Sequence, residues 1–319
     1  MKLREIYDIA VEYGKKKDPR GMERIEKELS LIKKAYEDLP EKKKKYFDVE
    51  KLTNPFSDTR ILNGNGDEEI KTIIAGIDME VSEVLLADRL NEKGKKIDLI
   101  MSHHPEGKAL ASLAEVMKLQ TDVLLRHGVS ISVSESLMEE RMQEVSRRIM
   151  PINHNRAIDA AKLVGLPFIC VHTPADNGVT KFLADLFEEK KPDLLSDVID
   201  ILNELPEYQY SAKRNCPPTI ISGSENRRCG KIMVDMTGGT EGSKNIFESL
   251  KNSGVNTLVC MHLSEEHLKE AKSNHLNVII AGHIASDSLG LNLFLDELLK
   301  KDKEIEIIPC SGFIRVKRV

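Results

Sequence analysis

Tryptophan is absent from this 319-residue chain, and aromatic residues make up only 4% of it. Stacking platforms for unpaired bases are therefore scarce, which argues against nucleic acid as a partner. Cysteine is sparse too. Cys170, Cys216, Cys229, Cys260 and Cys310 are odd in number and lie far apart, with no CxxC pair, so neither a disulfide framework nor a zinc knuckle is indicated. No apolar run approaches the length of a membrane span. The opening "MKLREIYDIAVEYGKKKD" is charged and amphipathic, without the apolar core of a secretory signal. These absences lead to the expectation of a cytoplasmic protein with no membrane partner. The net charge of -5 is spread along the chain and gives no general attraction to nucleic acid or anionic lipid.

What the chain does have is an ordinary share of hydrophobic residues, 40%, arranged in two alternating sets of short apolar runs and amphipathic stretches. Up to about residue 46 the spacing is helical: Leu3, Ile6, Ala10 and Tyr13 form one stripe, Ile25, Leu29 and Ile32 another, with "KKKDPRG" as the turn between them. This segment carries no clustered chemistry and reads as an appendage. "IKTIIAGI" (70–77), "IDLIM" (97–101) and "PFICV" (167–171) suit strands buried on both faces. Helices are expected over 81–94 and 110–127, a strand at "SISVSES" (130–136), and a long helical stretch broken at Pro151. A second set follows, with strands at "GKIMVDM" (230–236), "NTLVCM" (256–261), "NVIIAG" (277–282) and near "EIEIIP" (304–309). Strands alternating with helices of crossover length predict parallel-rich sheets. The expected fold is α/β: a helical extension over 1–50, a first α/β lobe over 51–214 and a second over 215–319.

Three strands run directly into histidine. "IDLIMS" stops at His103 and His104, "PFICV" at His172, and "NVIIAG" at His283. Ligands of parallel α/β sheets bind beyond the carboxyl ends of the strands, where the loops converge. Asp176 lies four residues after His172, and Asp287 four after His283, so either carboxylate returns to its histidine's face if the chain curls helically. Imidazole plus carboxylate is a ligand set for zinc, iron, manganese or nickel. The competing reading makes each histidine a hydrogen-bonded loop residue and each aspartate a helix cap.

"SHHP", "HTPAD" and "AGHIASD", in this order and spacing, resemble the NGG-interacting-factor-three family, whose members are also known as GTP cyclohydrolase I type 2 homologs. The resemblance covers about residues 55 to 319. It implies a two-lobed α/β protein, assembled as a ring-shaped homo-oligomer, often a hexamer, around dinuclear metal sites. It makes His103, His104, Asp176, His283 and Asp287 the metal ligands and places His172 beside them, orienting a ligand or moving protons. The family usually has glutamate at the position of Asp287, so a shorter side chain must reach the site here. "FSDTRIL" (56–62) stands in for the family's tryptophan-containing start motif, with Asp58 at its aspartate.

Two divalent ions per subunit, zinc, iron or manganese, would make this a metal-dependent hydrolase acting on a nucleotide-like or phosphate-containing small molecule. His172 and Glu106 are the candidates for proton transfer. The alternative is a non-catalytic metal-binding oligomer or interaction scaffold. The glycine-rich "DMTGGTEGS" (235–243) could cradle an anion or be a tight turn, and His262 and His267 could line the same cavity.

Overall fold

A computed structural model describes residues 1–318. Numbered along the chain, its strands are β1 (Arg60–Asn63), β2 (Thr72–Gly76), β3 (Leu99–Ser102), β4 (Phe168–Cys170), β5 (Thr219–Ser222), β6 (Lys231–Asp235), β7 (Val255–Cys260), β8 (Asn277–Ile280) and β9 (Glu306–Cys310). They form two sheets, ordered β1-β4-β3-β2-β9 and β5-β8-β7-β6. In the first, β4, β3, β2 and β9 are parallel and β1 is antiparallel at the edge. In the second, β8, β7 and β6 are parallel and β5 is the antiparallel edge. The fold is α/β with mostly parallel strands flanked by helices, as the alternation of apolar runs and amphipathic stretches predicts.

The period-two geometry of each strand divides its side chains between two cores. On the first sheet, Ile73, Ala75, Leu99, Met101 and Ile169 pack against helices Leu3–Lys17 and His283–Lys301. Ile74, Ile100 and Phe168 face the other way, onto Val84, Ala87, Ile158 and Ala161 of helices Val81–Glu92 and Arg156–Val164. On the second sheet, Val234, Val259 and Ile279 meet Val179 and Leu183 of helix Thr173–Lys190 and Leu289 of the His283 helix. The His283 helix thus touches both sheets, with Leu291, Phe294 and Leu298 on one and Ala285 and Leu289 on the other.

Several stretches differ from the sequence expectations. "SISVSES" belongs to the helix Ile131–Ile149. Its alternation came from Ile131 and Val133, which are exposed; burial falls on Ser134, Met138, Val145 and Ile149, at helical spacing. The first helix is built into the core, with Leu3, Ile6 and Ala10 fully buried, whereas helix Met22–Glu37 buries only Ile25. β1 and β5 lie outside the strands expected from the sequence. β9 follows the second set in sequence but pairs with β2 in the first sheet. Among the described residues no helix is long and apolar enough to cross a membrane.

Candidate metal centre

Because β3 and β4 run parallel to each other in the first sheet and β8 runs parallel to β7 in the second, each delivers the residue just past its end to the same kind of edge. β3 ends at Ser102, and His103 and His104 follow, their backbone N–H groups donating to Gly76 O and Ile77 O. His172 is the residue before the Thr173 helix, and His283 opens its own helix after Gly282. The two helices pack closely enough that a Cβ on Gly290 would lie 2.5 Å from the carbonyl oxygen of Ala175. Only glycine permits this approach, and it brings Asp287, with its shorter side chain, up to the histidines of the first sheet.

The five residues proposed as ligands converge. His103 Nε2 lies 3.3 Å from Asp176 Oδ1 and 3.4 Å from Asp287 Oδ1. Asp287 Oδ2 is 3.3 Å from His104 Nε2 and 3.4 Å from His283 Nε2. His172 Nε2 adds a contact of 3.6 Å to Asp176 Oδ2. Among the described residues two groups have ligand atoms close enough to hold a metal ion: His103, His172 and Asp176; and His103, His104 and Asp287. Donors bound at about 2.1 Å in a tetrahedron sit roughly 3.4 Å apart, so these separations suit a shared ion.

Second contacts fix the imidazoles. His104 Nδ1 donates to Asp78 Oδ1 at 2.6 Å, His172 Nδ1 to Asp58 Oδ2 at 2.7 Å, and His103 Nδ1 to Val171 O at 3.2 Å. With each Nδ1–H occupied, the Nε2 lone pair is the one turned into the site, the usual arrangement of a metal-binding histidine. Asp58 also accepts from Thr173 Oγ1 at 2.6 Å. Asp78 carried no sequence expectation; it stands two residues beyond β2, where the same strand-end logic would have found it.

The donor atoms are left without ordinary partners. His103 Nε2, Asp176 Oδ1 and both oxygens of Asp287 are buried and unpaired by hydrogen bonds. Such groups are expensive unless something else satisfies them, and a divalent cation does. The charges agree. Burial opposes the ionised form of Asp287, yet His103, His104 and His283 hold its carboxyl far below the usual carboxylate range. Burial likewise works against protonated His104, but Asp287 and Asp78 push it up to about 9. Burial lowers His283, with Asp287 only partly opposing.

The remaining candidates fall elsewhere. Glu106 is half-buried before helix Gly107–Ala111; burial, Glu80 and Asp78 push its carboxyl up to about 7. It belongs neither to the two ligand groups nor to the lining of the cavity beside them. His262 lines that cavity with its ring 4.9 Å from that of His283, and its Nδ1 lies 3.5 Å from Glu241 Oε1. His267 also lines it, but both ring nitrogens are engaged, by Ser264 Oγ at 2.6 Å and Gly242 O at 3.0 Å. The glycine-rich turn wraps a buried amide: Gln120 Nε2 donates to Gly238 O and Thr240 O at 2.7 and 2.6 Å.

No protein-family model and no curated protein matches the chain. Solved structures do. A NIF3 superfamily protein from Sphaerobacter thermophilus superposes with a TM-score of 0.75 at 22% identity, over 98% of this chain and 99% of that one. Reduced HcgD from Methanocaldococcus jannaschii aligns with a TM-score of 0.52 at 16% identity, over 88% of this chain and 96% of that one. NIF3 is the NGG-interacting-factor-three family to which the histidine motifs pointed. Over nearly its entire length, this chain has the NIF3-superfamily fold.

Proposed function

We propose that the chain is a divergent member of that superfamily and a metal-dependent hydrolase that uses a pair of divalent ions, zinc, iron or manganese. One observation supports the pair above all: the carboxylate of Asp287 turns Oδ1 toward His103 and Oδ2 toward His104 and His283. His103 and Asp176 would hold one ion, and His104 and His283 the other, with Asp287 shared and His172 beside the first. His103 has a single free lone pair, because Nδ1 is tied to Val171 O, so it can serve only one of them. Bound there, such ions would supply Lewis acidity and lower the pKa of a water.

The chain's own residues supply the rest. Asp78 and Asp58 keep His104 and His172 in the tautomer that faces the site. His172, only 6% exposed and with Nε2 3.6 Å from Asp176 Oδ2, is placed to hold or move a proton at Nε2. In the net reaction a water oxygen joins the electrophilic atom of the substrate, the bond to the leaving group breaks, and the leaving group takes the proton. A cytoplasmic setting and self-association into a ring belong to the same proposal; the exposed Leu85, Leu86 and Leu163 on the outer helices of the first sheet support the latter.

The test is to count metal per chain after purification, then screen hydrolysis of small amides, esters and phosphoesters with and without chelator. Turnover that chelator removes and that His104→Ala abolishes is expected. Tight metal with no turnover in any class would instead mark a metal-binding protein without catalysis.

A further inference from the structure

Beside the metal centre lies a cavity of about 100 Å³, and its lining defines what can occupy it. At one end stand His172, Asp176, His283 and Asp287. At the other the wall is apolar, built from Leu124, Met138, Met233, Leu250 and Leu258 between the second sheet and its covering helices. Asp235, at the end of β6, and Glu241, in the glycine-rich turn, line it as well. Among the described residues no lysine or arginine does.

Away from the metal-centre end and its histidines, no cationic side chain among the described residues faces an anion in this cavity, and the helix that follows the glycine-rich turn, Phe247–Asn252, is too short to offer a useful dipole. Glu241 already has partners: its Oε1 accepts from Ser264 N at 2.6 Å and lies 3.5 Å from His262 Nδ1. Asp235 has no ion pair among the described residues. It is the acceptor left for a ligand in the cavity lining. The volume suits a short alkyl chain or a small ring.

We propose that the substrate's non-reacting portion is a short apolar group bearing a cationic amine, with its carbon body against Met138, Leu250 and Leu258 and its nitrogen donating to Asp235. This rests on the hydrolase reading for the identity of the site but assigns a substrate class that the resemblance does not. A phosphate as the non-reacting portion is disfavoured, since away from the metal centre it would lie beside Asp235 and Glu241, and no lysine or arginine among the described residues lines the cavity to offset them.

Calorimetric titration tests it with four probes: n-butylamine, n-butanol, butyrate and inorganic phosphate. Zinc-loaded protein is titrated first, with its zinc content counted, and then chelator-treated protein, which separates attachment to zinc from occupation of the cavity. In the chelator-treated protein butylamine is expected to bind, with butyrate and phosphate weaker by about tenfold or more. Asp235→Asn should weaken butylamine by about tenfold and leave butanol and zinc content unchanged. Leu250→Ala should weaken butylamine and butanol alike. Butyrate or phosphate binding the chelator-treated protein as tightly as butylamine overturns the proposal, as does an unchanged butylamine affinity in a folded Asp235→Asn protein. A chain that keeps the amine preference but takes up no zinc overturns the hydrolase reading and leaves the cavity assignment standing.

Discussion

The two sheets share one strand order. β1-β4-β3-β2 and β5-β8-β7-β6 both begin with an antiparallel edge strand, and in both the strand next to that edge leads to a histidine followed four residues later by a buried aspartate. The difference lies at the neighbouring strand ends. β3 is followed by His103 and His104, β7 by Met261 and His262. Two residues past β2 stands Asp78, which orients His104; two past β6 stands Thr237, whose hydroxyl donates to Asn177 Oδ1 at 2.6 Å. The same scaffold therefore serves two ends. The first sheet concentrates imidazoles on the centre, and the second lends one histidine and one carboxylate and otherwise forms the cavity wall.

The sharpest way to break this comparison is to remove the carboxylate that faces both donor groups. Asp287→Ala should lower metal affinity by about a hundredfold or more, measured by competition with a calibrated chelator. Asp176→Ala, which serves one group, should leave part of the metal bound. An Asp287→Ala protein that keeps its full complement would refute the shared-ligand arrangement.

Next comes the contrast between matching strand-end positions. His104→Ala should strip metal, while His262→Ala should leave metal content unchanged and alter only what occupies the cavity. Equal metal loss in the two would erase the division between the sheets.

The third effect concerns the helices that join them. Gly290→Ala forces a Cβ against the Ala175 carbonyl, a backbone contact that cannot swing away. A loss of about 1–3 kcal/mol is expected, read from urea denaturation. Gly178→Ala meets the hydroxyl and ring of Tyr13, a side chain and not the backbone, and should cost less.

The smallest effect is acid sensitivity. Burial raises Asp58, but the hydrogen bonds from His172 and Thr173 outweigh it, and the carboxyl is held below its ordinary value. A depressed carboxylate stabilises the fold at pH above its unfolded value of about 4, and that contribution fades as pH falls through the folded value. Asp58→Asn should therefore flatten the decline in stability between neutral pH and about pH 3. An identical acid profile for the variant would show that Asp58 does not carry it.

Much of the centre was legible in the sequence because chemistry and topology left the same mark there. A buried parallel strand shows as an unbroken apolar run, and a histidine just past its end is at the crevice by necessity. His103, His104, His172 and His283 were expected at that rim this way, and Asp176 and Asp287 from their offsets of four residues; the structure brings the six together. Asp58 was visible only as a motif position, since its role depends on a partner 114 residues away. The cavity was illegible for a similar reason: its wall joins Leu124 and Met138 to Leu250 and Leu258, and no local pattern records that meeting. β1 and β5 were missed because edge strands of four residues in polar surroundings carry little periodic signal. The helix at Ile131 was missed because two exposed apolar residues imitated a strand.

The return of the chain from the second sheet to pair β9 beside β2 has a consequence for biogenesis. While the ribosome is still making the second half, one side of β2 presents open N–H and C=O groups with nothing to bond. At about 5–20 residues per second this lasts for tens of seconds, long enough for a nascent chain to recruit a neighbour's strand in place of its own. The vulnerable edge belongs to the strand that leads to Asp78, so crowded polysomes would threaten the centre's alignment before any ion arrives.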